Sequence, residues 1–425
     1  MLLIMLLGGM GALLVLRVPV AFAMLLPSLV YIEMSPRISM GVALQRVTAL
    51  LDSFPLLAVP LFIFVGFLAN SAGLADKLIN ALLVLTGRVR GSLAYANVNS
   101  SLVFSWMSGS ALADAAALGS VLVPSMRKNG YDPGFAAGLT AASSTMGPIM
   151  PPSIAAVLYA VLTGTSVAAT FFGGVVPALL IFLGLTIYVY FYTRNRPELT
   201  SEPVARELVA RTLIDAIPIC VAPVILLGGI LGGFFTPTEA AAATAMYLLV
   251  LSFSCRWLTL RGLYAALAGT AATTGRVMLI ASVGGLFSFI MAREQIPRQV
   301  AEFLMLITEN PLVFLLLLNI FLLLIGMVLE PASGLLVTVP IFYPIAVSYG
   351  IDPIHLGVVV IFNLTIGLMT PPVGLVLQML AHVGNLEFSR VLKATMPMLG
   401  ILALILMIVT YVPATVLALP RYLGF

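Results

Sequence analysis

TMGPIMPPSI, residues 145–154, sets one glycine and three prolines within six residues of a strongly apolar chain. IGLMTPPVGL, residues 366–375, repeats the pattern. Proline removes a backbone donor and clashes with the preceding turn, and glycine tolerates unwound backbone. Each stretch therefore predicts a break inside a helix. Such a break is tolerable within a membrane only where protein or enclosed water satisfies the freed groups.

The composition supplies the membrane. Of 425 residues, 61% are hydrophobic and 8% are charged, and the mean hydropathy is +1.15. A soluble protein of this length needs far more charge on its surface. Apolar runs long enough to cross a bilayer recur along the whole chain, and they are continuous rather than alternating, which excludes a β-barrel. The net charge of +4 sits in short loops, as membrane topology requires, and does not indicate nucleic acid. The fold expected is an all-α polytopic protein embedded in a lipid bilayer. The first run, 2–16, lacks a basic start and a cleavage site, since its first charge is Arg17. It reads as a first membrane helix rather than a signal peptide. Cys220 and Cys255 have no metal-ligand spacing and read as small core residues. His355 and His382 form no zinc motif.

Two runs carry small or helix-breaking residues near their middle: 92–124 with SWMSGSALAD, and 311–345 with GMVLEPASG. Each reads as a re-entrant hairpin with its tip inside the membrane. The runs 134–165 and 354–384 hold the two breaks. The polar stretch 193–213, with Pro197 and Pro203, reads as a linker with a short surface helix. It divides a first half, 1–192, from a second, 214–425. Segments 37–52 (Arg37, Arg46, Asp52) and 256–276 (Arg256, Arg261, Arg276) read as interfacial amphipathic helices.

The halves align in one register. Gly147, Pro151 and Pro152 match Gly367, Pro371 and Pro372, and GYDP at 130–133 matches GIDP at 350–353. Pro124 matches Pro344, and Met107 matches Met327. FLANSAGLADKLI at 67–79 matches FIMAREQIPRQVA at 289–301 more weakly, two residues out of that register. Paired interruptions in two repeats mark the binding site of a secondary transporter. Freed carbonyls suit Na⁺, and half-helix N-termini suit an anion.

Within the apolar runs, Asp114 follows the first tip and Glu330 sits at the second. Intramembrane carboxylates are costly and so are functional candidates, with capping of a half-helix as the plainer alternative. Ser105, Ser108 and Ser110 place three hydroxyls at the first tip. Ser143, Ser144 and Thr145 precede the first break, and Thr365 and Thr370 flank the second. Arg276 could meet a substrate carboxylate, although snorkelling to the interface is the ordinary role of such an arginine. Leucine at Gly147 or Gly367 is expected to insert and fold but to lose ion coordination. No nucleophile–base pair or metal motif indicates an enzyme. An ion channel and a stand-alone Na⁺/dicarboxylate symporter are the competing readings.

FSWMSGSALADAAALGS (104–120), GYDPGFAAGLTAASSTMGPIMPPSI (130–154), LEPASGLLVTVPIFYPI (329–345) and GIDPIHLGVVVIFNLTIGLMTPPVGL (350–375) resemble the large membrane subunit of tripartite ATP-independent periplasmic (TRAP) transporters. The resemblance covers essentially the whole chain. It implies an elevator-type symporter of the bacterial inner membrane that uses Na⁺ to take up an organic acid anion. A periplasmic substrate-binding protein would deliver the anion, and a small four-helix membrane subunit would complete the permease. No further four spans precede Met1, so that subunit is expected as a separate chain, or lost. One Na⁺ site would comprise Ser105, Ser108, Ser110, Thr145, Gly147 and Met150, and a second Gly326, Glu330, Gly367, Thr370 and Val373. Substrate would lie between the tips, near Ser110, Asp114, Thr145 and Arg276. Trp106 departs from the small residue more usual at that position and is expected to narrow or gate the site.

Overall fold

The computed structural model describes residues 2–16, 18–35, 38–87, 89–199 and 206–425. Arg17, Arg37 and Pro203 lie outside the described residues. The described chain is helical, with no β-strand among the described residues. Six of its helices are long and apolar enough to cross a membrane: Phe54–Ser71, Val167–Thr193, Thr212–Leu231, Leu260–Arg293, Pro331–Ser348 and Phe388–Tyr411. Ile296–Ile307 and Pro311–Gly326 add a seventh if counted together, bent by 118°.

Each half begins with a helix that stops at a left-handed residue. Ala58–Ser71 runs to Gly73 (φ 65) and then into Leu74–Thr86. Leu260–Arg293 runs to Gln295 (φ 53) and then into Ile296–Ile307. Glycine adopts this conformation freely, whereas glutamine pays roughly 1–2 kcal/mol. The turn is thus kept in both halves even where the residue that favours it is lost.

The hairpins follow. Ser92–Ser108 and Ala111–Lys128 meet at Gly109 and Ser110, and Pro311–Gly326 and Pro331–Ser348 meet across residues 327–330. Next come the broken helices, Pro133–Ser144 with Ile154–Thr163 and Pro353–Gly367 with Leu375–Gly384. Both start in the same way, after Gly130 (φ 82) and Gly350 (φ 74). The Asp132 carboxylate accepts from Phe135 N, and that of Asp352 from Ile354 N and His355 N. A proline stands at the first helical position in each, where its missing N–H costs nothing. Asp132 also pairs with Arg390 at 2.7 Å, and Asp352 with Arg421 at 3.9 Å.

The first segments of the broken helices are the most enclosed parts of the molecule. Every residue from Gly134 to Ser144 and from His355 to Gly367 is buried. Small residues make this possible. A Cβ on Gly138 would stand 2.6 Å from Thr395 Oγ1, so helix Phe388–Tyr411 lies directly on this segment. The two broken helices are also joined to each other. Tyr159 Oη donates to Pro353 O at 2.6 Å, and its ring covers Gly357.

Four expectations change. Residues 260–276 are not an interfacial helix; they form the first half of the continuous 34-residue helix Leu260–Arg293, because no proline or turn interrupts them. No separate surface helix occupies the described part of 193–213. Pro197–Leu199 forms a single 3-10 turn, and the helix starting at Arg206 continues to Pro223. Cys220 and Cys255 are exposed rather than core residues; Cys220 lies within Arg206–Pro223 and Cys255 just past the end of Pro237–Ser254. Leu2–Val15 has 14 residues, roughly 21 Å at 1.5 Å per residue, which is short of a ~30 Å hydrocarbon core. It packs instead against Val20–Glu33, with Leu6, Met24 and Tyr31 buried together.

Candidate functional site

Each hairpin tip is pressed against the break of its own half, and glycines permit the approach. A Cβ on Gly109 (φ 64) would lie 2.6 Å from Pro152 O. A Cβ on Gly147 would overlap Asp114 Oδ2 and sit 3.2 Å from Ser110 C. In the second half, a Cβ on Gly326 would come within 2.9 Å of Leu364 O and 3.1 Å of Gly367 Cα. Real Cβ contacts are rarely this short, so a side chain at any of these three positions would force its neighbours to shift.

Asp114 lies between tip and break. It is fully buried. Ser108 Oγ donates to its Oδ1, while its Oδ2 has no hydrogen-bond partner. A buried carboxylate oxygen without a donor is costly unless a cation or donor reaches it. Asp114 is not the cap of its helix. Ser110 is, through a long 3.5 Å contact from Ala113 N. Glu330 occupies the equivalent cap position of Pro331–Ser348 but makes no capping hydrogen bond.

Between the tips is a cavity of about 580 Å³. Its walls include Ser108 and Ser110 of the first tip, Glu330 of the second, and Asn70, Thr273 and Arg276 of the two facing helices. Pro148 and Leu368 bring in both breaks. Arg276 is at the middle of Leu260–Arg293, far from either end of the helix, and lines the cavity. Of the expected substrate residues, Ser110 and Arg276 line the cavity. Asp114 and Thr145 do not; they lie behind the tip. Thr145 Oγ1 is turned to Ala142 O at 2.6 Å.

The residues expected at the first ion site fall around the first tip and break. Ser105 Oγ donates to Leu102 O at 2.6 Å, and Met150 is buried within the break, its N–H bonded to Met146 O. At the second, Gly326 and Gly367 touch, Thr370 Oγ1 donates to Ile366 O at 3.0 Å, Val373 lies in the break, and Glu330 faces the cavity. Trp106 does not line the cavity; it is partly buried against the core beside the tip, so it neither narrows nor gates that space.

Two polar networks behind the tips escaped the sequence reading. Asn97 Nδ2 donates to Thr140 Oγ1 at 2.7 Å, and Ser143 Oγ lies 2.6 Å from Ser101 Oγ. Asn363 Nδ2 donates to Asn319 Oδ1 at 2.7 Å, and Asn319 Nδ2 to Thr410 Oγ1 at 3.0 Å. Each network ties the outer limb of a hairpin to the broken helix of its half. An asparagine near the middle of each hairpin's first limb was the available signal.

Residues 7–415 match the family described as "Tripartite ATP-independent periplasmic transporter, DctM component". The chain belongs to this family. It is 40% identical over 409 residues to the sialic acid TRAP transporter large permease protein SiaM of Vibrio cholerae, covering 96% of both chains. It is 39% identical over 374 residues to the C4-dicarboxylate TRAP transporter large permease protein DctM of Pseudomonas aeruginosa, covering 88% of both. The solved structure of the Alcanivorax borkumensis YdaH transporter, described as having an unusual topology, shares the fold. The TM-score is 0.62, with 15% identity and 89% of each chain covered. The protein is therefore a TRAP-type large permease of the bacterial inner membrane, and not an enzyme.

Proposed function

We propose that this permease takes up an organic acid anion by Na⁺ symport, receiving it from a periplasmic substrate-binding protein and working with a small four-helix membrane subunit. The observation that carries this reading is the pairing of each hairpin tip with a helix break around one shared cavity. Tips and breaks supply half-helix N-termini for an anion and unwound backbone for cations. Arg276 gives the cavity a permanent positive charge.

Na⁺ is a hard cation that seeks oxygen. The partnerless Oδ2 of Asp114, beside Gly147, fits such an ion. The first Na⁺ would be held by Ser105, Ser108, Ser110, Thr145, Gly147 and Met150, with Asp114 added to that set. The second would lie at Gly326, Gly367, Thr370 and Val373, with Glu330 at its edge. Transport would proceed by elevator movement, the hairpins and broken helices travelling together against Leu260–Arg293. The halves on either side of 193–213 would each contribute one tip and one break. The Tyr159–Pro353 hydrogen bond favours joint movement of the two broken helices.

The test is uptake into proteoliposomes carrying the chain, its small subunit and its binding protein. Uptake should saturate, require external Na⁺, and need more than one ion per substrate. Undiminished uptake with choline in place of Na⁺ would refute the coupling. Full activity by the chain alone would refute the partners, and unsaturating flux would favour a channel.

A further inference from the structure

The cavity has two poles. Among its described lining residues only Arg276 and Glu330 carry charge. No ion pair within 4.0 Å joins them among the described residues. Each is therefore available to a ligand. The repeat sharpens the contrast, because Ser110 and Glu330 occupy the same register, each as the residue before the second limb of its hairpin. Ser110 turns its hydroxyl toward its own helix, which leaves the first tip with the positive end of the helix dipole. Glu330 makes no such bond and faces the cavity, where its carboxylate, when ionised, opposes the sign that a bare helix N-terminus would give.

We infer that the preferred substrate is a zwitterion, a small organic acid that also bears a cationic nitrogen. Its carboxylate would lie between Arg276 and the first tip, and its cationic group against Glu330. This rests on the cavity being the substrate site, as proposed above. Charge balance decides among ligand classes. A dicarboxylate would answer Arg276 but bring a second negative charge to Glu330. A monocarboxylate would engage Arg276 and leave Glu330 with no cation from the ligand. A zwitterion satisfies both poles. A site that offers a charged group discriminates against ligands that lack its counterpart. The volume of about 580 Å³ admits a small organic acid with room to spare.

The experiment uses the chain with its small subunit in nanodiscs, without the binding protein, so that only the permease selects. Three probes share a four-carbon skeleton: butyrate, 4-aminobutyrate and succinate. Thermal stabilisation is titrated for each in Na⁺ and in choline. 4-Aminobutyrate is expected to half-saturate at roughly tenfold lower concentration than either other probe, a difference of ~1.4 kcal/mol. Glu330→Gln should abolish that preference and improve succinate, and Arg276→Gln should weaken all three. Succinate or butyrate binding as well as 4-aminobutyrate would overturn the inference. So would a preference that survives Glu330→Gln, or Na⁺ stabilisation with no response to any probe. If Glu330→Gln shifts only the Na⁺ midpoint, Glu330 is an ion ligand and the inference fails. If Na⁺ itself has no effect, the symport reading fails instead.

Discussion

Gly367→Ala tests the contact between the second tip and its break. The added Cβ would stand 2.7 Å from Gly326 O and nearer still to its Cα and carbonyl carbon. Ordinary contact begins at 3.4 Å, so tip and break must part by at least 0.7 Å, the difference between those two distances. The obstacle is backbone, which cannot rotate away as a side chain can. Overpacking of this kind costs about 1–3 kcal/mol. Replacing a helical glycine by alanine gains up to ~1 kcal/mol, so the clash prevails. If Na⁺ binds only when tip and break are closed, its apparent affinity should fall by the same free energy, roughly 5- to 150-fold. The assay is thermal melting of the purified protein during titration with Na⁺, holding ionic strength with choline. Gly400→Ala, where a Cβ meets nothing within 4 Å, controls for helix propensity. An unchanged Na⁺ midpoint in Gly367→Ala would refute the argument. The same geometry corrects the expectation that leucine is tolerated at Gly147 or Gly367, since neither site has room even for a Cβ.

Gly147→Ala should be milder for folding, because the atom it meets first is the Asp114 side chain, but it should raise the Na⁺ midpoint by displacing that carboxylate; a normal midpoint would show that Asp114 Oδ2 is not a ligand. Asp114→Asn should weaken Na⁺ stabilisation at least tenfold (~1.4 kcal/mol) while retaining the Ser108 contact, and a wild-type titration would place the ion elsewhere. Asn363→Leu leaves the Asn319 amide oxygen without its donor and should lower stability by about 1–3 kcal/mol, read as a drop in melting temperature in both Na⁺ and choline. At the exposed Asp132–Arg390 pair, burial raises the Asp132 pKa, but hydrogen bonds from Arg390 and Phe135 N outweigh it and the carboxyl titrates below its usual range. The pair's contribution is present above the unfolded value of about 4 and is lost as pH falls through the folded value. The melting difference between wild type and Arg390→Gln should therefore be constant from about pH 6 to 8 and shrink as acid protonates Asp132, whereas a gap that grows as pH falls, or one already lost above the unfolded value of about 4, would refute the assignment.

The breaks and tips were legible because glycine and proline act through the backbone, and Gly147, Pro151, Gly367 and Pro371 announce irregular chain whatever surrounds them. The matched GYDP and GIDP were legible as a repeat, but that Asp132 and Asp352 cap the helices that follow came only from the structure. What escaped depended on tertiary direction. Arg276 looked interfacial because scattered charge was read as a helix end, yet the run continues unbroken to Arg293. Asp114 looked like a cap or substrate ligand because it is four residues beyond Ser110, but the helical turn carries its carboxylate behind the tip, toward Gly147. Leu74–Thr86 and Ile296–Ile307 were left between the apolar runs, because charged residues such as Asp76, Lys77, Arg298 and Glu302 keep either from reading as a membrane span. Cys220 and Cys255 were misplaced because in a membrane the outer face is as apolar as the core, so hydropathy no longer tells inside from outside.

The repeat preserves backbone geometry more faithfully than side chains, and that difference has a physical meaning. The glycine contacts of tip and break recur in both halves, against Gly326 backbone at Gly367 and against the Asp114 carboxylate and Ser110 backbone at Gly147. Side chains at matched positions diverge: Ser110 becomes Glu330, Ser143 becomes Asn363, and Ser153, which caps Ile154–Thr163, becomes Val373 before an uncapped helix. Duplicated scaffolding alone would give two identical tips and a cavity with like poles on either side. Divergence at the facing cap residues gives unlike poles, while the buried Asp114 has Gly334 as its counterpart in the second half. The two ion sites, if both are occupied, therefore cannot be equivalent. The first would have a buried carboxylate ligand, whereas the second would have Glu330 only at its edge and depend mainly on carbonyls and hydroxyls, so the first should be the tighter and the last to empty as Na⁺ is withdrawn.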